Sequence, residues 1–311
     1  MSAASDTGGR QLWAYTLLLL APLFMASNVV FGRDAIDTVP PIGLAFWRWV
    51  IAFLILLPFA WPGLRRHAAQ LIRVWPLLLL LGALGMGVCG AFVYIGLHHT
   101  TATHAGLIYA ASPIFILLIG VLFGGERLGV VQCLGVALAV LGVIVILTRG
   151  APQALLTFSF NIGDLWVLAA TVAWAVYSVL LKRRSLRIPT IPLFAAIAFA
   201  GIVCLAPFYA WETLAGRPVL LTAEAATSVL AVALIASVLA FSAYQQGIAV
   251  IGASRAGVFM YLMPVYAALL AVMFLGEQFR AFHAIGLSLI LPGLALATLM
   301  PARRWRVGRT A

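Results

Sequence analysis

Long apolar stretches separated by short polar breaks run the length of the chain. A helix needs about 20 consecutive apolar residues to cross the hydrocarbon core of a bilayer. Ten such runs stand at approximately 12–32, 42–61, 74–97, 101–123, 129–148, 164–182, 190–211, 227–250, 255–275 and 281–301. None alternates with the period of two that a barrel strand shows. Between runs three and four the break is only His98-His99-Thr100-Thr101, and between eight and nine only Ile251-Gly252-Ala253-Ser254. The pattern predicts an all-α integral membrane protein with ten transmembrane helices. The first run exceeds the apolar core of a secretory signal peptide and nine more follow, so it reads as a span rather than a cleaved leader.

Charge then orients the spans. The 311 residues are 64% hydrophobic and 9% charged, which excludes a water-soluble enzyme, a disordered chain and a collagen-like fibre. A formal charge of +11 could suggest nucleic acid, but with ten spans it sorts by side. Fourteen of the 19 Lys and Arg fall on the side that holds both termini and four on the other, with Arg48 inside run two. Positive residues stay in the cytoplasm, so both termini are expected there, with no nucleic-acid partner. The acids lie mostly on the other side: Asp34, Asp37, Asp164, Glu212, Glu224 and Glu277. Cys89, Cys133 and Cys204 are far apart, without metal spacing, and read as small core fillers.

An internal repeat adds a second level. Shifted by 151 residues, segment 102–148 falls on 253–299 with 12 of 47 positions identical. The matches include Ala105/Ala256, Gly106/Gly257, Pro113/Pro264, Gly125/Gly276, Glu126/Glu277, Gly135/Gly286 and Gly142/Gly293. After a one-residue gap, Tyr94 meets Tyr244. The halves divide at 1–149 and 161–301, joined by a loop at 150–160 and followed by a basic tail at 302–311. Five spans is an odd number, so the second half must enter the membrane inverted. Inverted repeats build alternating-access carriers with the substrate near the midplane. Two five-helix halves with this Ala-Gly, Pro, Gly-Glu, Gly, Gly pattern resemble the EamA domains of the drug/metabolite transporter superfamily, over essentially the whole chain. The resemblance implies a polytopic carrier of a bacterial-type inner membrane exporting amino acids or related metabolites, the aromatic amino-acid exporter type included, and does not pick the solute.

The residues that could carry transport are polar groups inside the runs. Hydroxyls and amides are costly against lipid and should face inward. Asn28, Tyr94, Trp174, Tyr244 and Gln245, with Tyr109 and Tyr261 beside the prolines, are the expected substrate contacts. They suit a neutral or zwitterionic solute with an apolar side chain, such as a neutral or aromatic amino acid. Pro113 and Pro264 predict helix kinks, either exposing carbonyls to substrate or serving packing alone. Arg48 lies about six residues into its run, roughly 9 Å deep. It has two readings: a counter-ion for a substrate carboxylate or a partner for Asp34 or Asp37, and, favoured on depth, a side chain snorkelling to the outer interface between Trp47 and Trp49. His98, His99 and His104 read as interface histidines, with His104 a possible pH-sensitive gate paired by the repeat with Arg255. Glu126 and Glu277 read as ties between loops and helix ends.

Several things are expected to be absent. No carboxylate lies in mid-run, which disfavours a proton-relay drug pump. No H-E-x-x-H, G-x-S-G or paired intramembrane acids occur, so no enzyme is expected. Neither a cofactor nor a metal site is indicated. The expected partners are a small-molecule substrate and the bilayer, with no obligatory protein partner. Other solutes of the same superfamily (nucleobase, sugar or drug) are the alternative cargo, and a non-transporting membrane scaffold is the remaining reading.

Overall fold

A computed structural model describes residues 3–124, 129–151, 153, 161–184, 186–220, 222–251 and 259–299. The described chain is helical, with no strand among the described residues. Eight helices are long and apolar enough to cross a membrane. They are α1 (Ala3–Ala35), α2 (Pro41–Arg66), α3 (Trp75–Leu97), α4 (Ala102–Leu122), α5 (Val130–Leu147), α6 (Ile162–Arg184), α7 (Thr190–Leu214) and α8 (Ala223–Tyr244, continuing to Ile251). Two shorter apolar helices follow, α9 (Met263–Leu275) and α10 (Ala281–Leu299). A linker helix, Ala68–Arg73, joins α2 to α3. Pro41 opens α2 at the one place in a helix where a missing N–H is harmless. Thr101 and Thr222 cap α4 and α8 by accepting the backbone N–H three residues on.

Large apolar side chains such as Phe59, Leu122, Val130, Leu214 and Phe274 stay exposed on the outside of the bundle. In water this would be a defect, and against lipid it is the expected surface. Inside, the contacts run through small residues, because helices already in an apolar medium associate by close packing rather than by hydrophobic transfer. α5 and α10 make the closest pair. A Cβ placed on Gly142 would fall 2.7 Å from the Gly286 carbonyl oxygen, and one on Gly293 2.7 Å from the Gly135 carbonyl oxygen. These are four of the glycines matched by the 151-residue shift. They pair crosswise, Gly135 with Gly293 and Gly142 with Gly286. α2 packs on α7, while α1 leans on α8 and α9 and α6 leans on α3 and α4.

Two further features recur at matched positions. α3 carries a π-helical turn at Ala83–Val88 and α8 one at Val232–Leu239. α4 breaks at Ala110–Ala111 just ahead of Pro113, and a 3-10 turn, Met260–Leu262, precedes α9 just ahead of Pro264. The helix is thus interrupted just ahead of Pro113, and Pro264 occupies the first turn of its helix. The starts of α2, α4, α6 and α10 gather at one end of the bundle, called here the even end. Glu212 at the close of α7 accepts from the Ile42 and Gly43 amides at 3.3 and 2.7 Å. Glu277 accepts from the Ala102 and Thr103 amides at 2.7 and 2.9 Å. Each carboxylate meets the exposed donors and the positive dipole end of a helix. Glu277 thus ties a loop to a helix end, as expected. Glu126, Arg255, most of the connecting loop and the tail lie outside the described residues.

The α5–α10 contact leaves no room for a side chain. Gly142→Val should cost about 2 kcal/mol by overpacking, read as a lowered unfolding midpoint in detergent. Gly129→Ala, where the nearest atom would be 3.8 Å away, should leave the midpoint unchanged.

Candidate functional site

The polar centre of the bundle is built around Arg48. Its guanidinium is buried, with 8% of the residue exposed. Nη1 donates to Asn28 Oδ1 at 2.9 Å and to the Tyr94 hydroxyl at 2.7 Å, and Nε donates to Ser237 Oγ at 3.0 Å. Tyr94, fully buried, in turn donates its hydroxyl to Asn28 Oδ1 at 2.8 Å. The charge also lies 4.5 Å over the Trp49 ring, a cation–π contact. Four helices supply the cage: Asn28 from α1, Arg48 and Trp49 from α2, Tyr94 from α3 and Ser237 from α8.

This corrects the snorkelling reading. Arg48 turns into the bundle because three neutral acceptors wait there, and the interface does not hold it. Trp47 goes the other way and donates to the Tyr209 hydroxyl at 3.0 Å. Neither Asp34 nor Asp37 partners Arg48. Among the described residues no carboxylate lies within salt-bridge distance of Arg48, so the guanidinium is solvated by neutral groups and its charge is not cancelled. Nη2 makes no hydrogen bond among the described residues. Ser237 owes its position to the π-helical turn, where its hydroxyl also reaches back to the Val232 carbonyl at 3.2 Å. Such turns widen a helix locally and often mark working positions.

Next to this cage lies an aromatic wall. The Tyr109 hydroxyl sits 3.2 Å from Cys89 Sγ. Tyr109 faces Trp174 with ring centroids 6.4 Å apart, and Trp174 faces Tyr177 at 5.0 Å. Of the expected contacts, Asn28 and Tyr94 meet Arg48 directly, and Tyr109 and Trp174 form the wall. Tyr244 stands half-buried on α8, joined to neither group by a hydrogen bond among the described residues. The side chains of Gln245 and Tyr261 lie outside the described residues.

His104 belongs to a separate cluster at the even end. Its Nδ1 lies 3.4 Å from Asp164 Oδ2, and the Thr100 hydroxyl donates to Asp164 Oδ1. The His283 ring stands edge-on to His104 with centroids 4.8 Å apart. Asp164 is fully buried. Asp164 opens its run rather than lying in mid-run, and the burial of a carboxylate at that edge is what the sequence reading lacked. Asp164 sits in the first turn of α6, where the α3–α4 connection covers it, and the edge of an apolar run does not reveal such cover. Ser237 and Cys89 were likewise passed over, each being one small group in an apolar run.

The helical frame agrees with what sequence comparison shows. The model of the EamA-like transporter family matches residues 12–148 and again 161–299. The chain belongs to the EamA-like transporter family. It is a multi-pass membrane transporter and not an enzyme. An uncharacterized transporter of Archaeoglobus fulgidus is 28% identical over 91% of this chain and 96% of its own length. A probable terminal-alkyne amino-acid exporter of Streptantibioticus cattleyicolor is 29% identical over 97% of both chains. An uncharacterized inner membrane transporter of Escherichia coli is 28% identical over 90% of this chain and 92% of its own. A solved crystal structure, 24% identical, shares the fold with a TM-score of 0.60 over 94% of this chain and 97% of its own.

The cage makes a stability prediction in which removing an acceptor is worse than removing the charge. Asn28→Leu leaves a buried cation short of a partner and should lose about 2 kcal/mol. Arg48→Met removes charge and need together and should lose less. Denaturant unfolding in micelles ranks the two variants, and the reverse order would show that Arg48 is solvated elsewhere.

Proposed function

We propose that this EamA-family chain is an inner-membrane exporter of amino acids, neutral or aromatic, or of closely related carboxylates, working by alternating access with the substrate carboxylate held at Arg48. The observation that carries this reading is a buried guanidinium in the polar centre of a transporter with no carboxylate beside it. A substrate anion completes the site, and the wall of Tyr109, Trp174 and Tyr177 offers an apolar side chain a surface to pack on. Pro113 has no N–H to give the Tyr109 carbonyl, so an acceptor for a substrate ammonium lies beside the same wall.

The same reading takes α9 and α10 as the ninth and tenth spans and the two family matches as inverted halves. The crosswise glycine pairs of α5 and α10, the matched π-helical turns and the exchange of α1 and α6 between halves support that arrangement. The Lys and Arg asymmetry supports cytoplasmic termini, which makes the even end the outer end. Inner-membrane placement has the support of the Escherichia coli relative's name, and export of an amino acid that of the Streptantibioticus cattleyicolor relative's name.

Counterflow in proteoliposomes with a panel of labelled amino acids, nucleobases and sugars tests the reading. An amino acid should move above the empty-liposome control. Arg48→Gln should slow its flux about ten-fold, the equivalent of about 1.4 kcal/mol, while the amide analogue of the same amino acid is carried equally by both proteins. Trp174→Ala should slow both. If none of the amino acids moves, or if Arg48→Gln leaves amino-acid flux intact, the reading is wrong.

A further inference from the structure

At the end of the bundle opposite the even end, α2, the linker helix, α3 and α7 border a groove of about 540 Å³. Ligand sites run from roughly 300 to 1,000 Å³. The groove is apolar throughout. The buried Leu71 and Leu78 back it, and the exposed Trp61 and Ile72 edge it. Phe199 crosses it, meeting Phe53 and Trp75 at ring-centroid distances of 5.5 and 6.1 Å. The turn after α2 shapes this place. His67 Nδ1 donates to the Gly63 carbonyl at 3.0 Å and closes the helix. Gly63 lies so near α7 that a Cβ there would fall 2.2 Å from Pro192 Cγ. Three arginines stand around the turn. Arg65 and Arg66 end α2 and Arg73 ends the linker helix, all exposed. The Arg65 guanidinium lies 5.7 Å from the ring centroid of Trp61, itself a groove residue, so this charge is held at the groove. Residues 38–125 contain no Asp or Glu. Among the described residues none of the three arginines joins a salt bridge. The second half does not copy the arrangement. The 151-residue shift sets Gly216 against Arg65 and Glu224 against Arg73, and no helix lies between α7 and α8 among the described residues.

We propose that this groove is a binding site for an anionic phospholipid, its acyl chains against Phe53, Trp75 and Phe199 and its phosphate on Arg65, Arg66 and Arg73. The inference does not depend on the Arg48 reading. Charge complementarity selects the occupant. A neutral lipid fills the groove and leaves three guanidinium groups without an anion. A free phosphate meets the cations and leaves the groove to water, which finds no hydrogen-bond partner in an apolar lining. An anionic lipid answers both at once. Guanidinium groups match phosphate oxygens in pairs of hydrogen bonds, which a merely positive surface does not offer. Trp61 and Trp75 are the amphipathic aromatics that settle at headgroup level, and basic pockets between helix ends take anionic headgroups. A lipid seated here touches α2, the linker helix, α3 and α7 together, so it braces the joint on which the first half turns.

Native mass spectrometry of the full-length protein in detergent tests this without knowledge of the transported solute. Phosphatidylglycerol and phosphatidylcholine with the same acyl chains are titrated in turn. The wild type should hold phosphatidylglycerol about ten-fold more tightly. A variant carrying Arg65→Gln, Arg66→Gln and Arg73→Gln should bind the two lipids alike. Removing the same charge at the even end, with Arg149→Gln, Arg217→Gln and Arg280→Gln, should leave the preference intact. Ala68→Trp, which fills the groove from the exposed face of the linker helix, should weaken both lipids. Glycerol phosphate, a headgroup without chains, should displace neither. Equal binding of the two lipids by the wild type overturns the proposal, as does a preference that survives the groove variant or vanishes in the even-end variant. Displacement by glycerol phosphate overturns it in favour of a plain phosphate site.

Discussion

In hydrocarbon no water completes a hydrogen bond, so a backbone or side-chain polar group left unanswered within the protein is costly. That cost organises this molecule. It explains why Glu212 and Glu277, both near helix ends, each reach across to the opening amides of another helix. It explains why Arg48 turns inward to three acceptors from three other helices. It also explains why small residues line the helix contacts. Backbones can approach only where no side chain stands between them, and the polar groups then lie near enough to answer one another.

Packing and chemistry obey different symmetries. The crosswise glycines of α5 and α10 and the π-helical turns of α3 and α8 repeat between halves. Even a local cap repeats: Gly129 donates to Gln132 Oε1 as Arg280 donates to His283 Nδ1, both at 3.0 Å. The functional groups do not repeat. The 151-residue shift sets Phe199 against Arg48, Val179 against Asn28, Arg255 against His104 and Gln132 against His283. A duplicated frame has kept the contacts that let helices fit and has let the two halves diverge in charge. Among the described residues, one buried guanidinium near the centre and one histidine–carboxylate cluster at one end give the frame a polarity that its packing lacks.

This division also explains what could be read without coordinates. Runs of apolar residues and the spacing of Gly and Pro report backbone packing, which depends on local and repeated features. The eight long helices, the break before Pro113 and the capping role of Glu277 were legible for that reason. Asn28 and Tyr94 were legible as amides and hydroxyls that lipid would not tolerate. Arg48 was legible as a rarity but not in its direction, because depth alone does not distinguish an inward from an outward rotamer. Ser237 matters only because a widened turn swings it toward α2. Asp164 is buried only because the α3–α4 connection lies over it. Both depend on partners more than 60 residues away in sequence.

The uncancelled charge at the centre sets the direction of selectivity as well as its strength. At about 6 Å and an effective dielectric near 20, a unit charge interacts with Arg48 by about 3 kcal/mol. An anion gains that amount and a cation forfeits it, so the two differ by about 6 kcal/mol before any contact is counted. A zwitterion keeps most of the gain when its ammonium sits farther from the guanidinium than its carboxylate does. On the proposed reading the carboxylate meets Arg48 and the ammonium lies farther off. Asn28 Oδ1, the nearest neutral acceptor, is already shared by Arg48 and Tyr94. It therefore cannot pull the ammonium to the wrong side. On the proposed reading, one residue thus favours anions over hydrophobic cations, and the aromatic wall is left to choose among side chains.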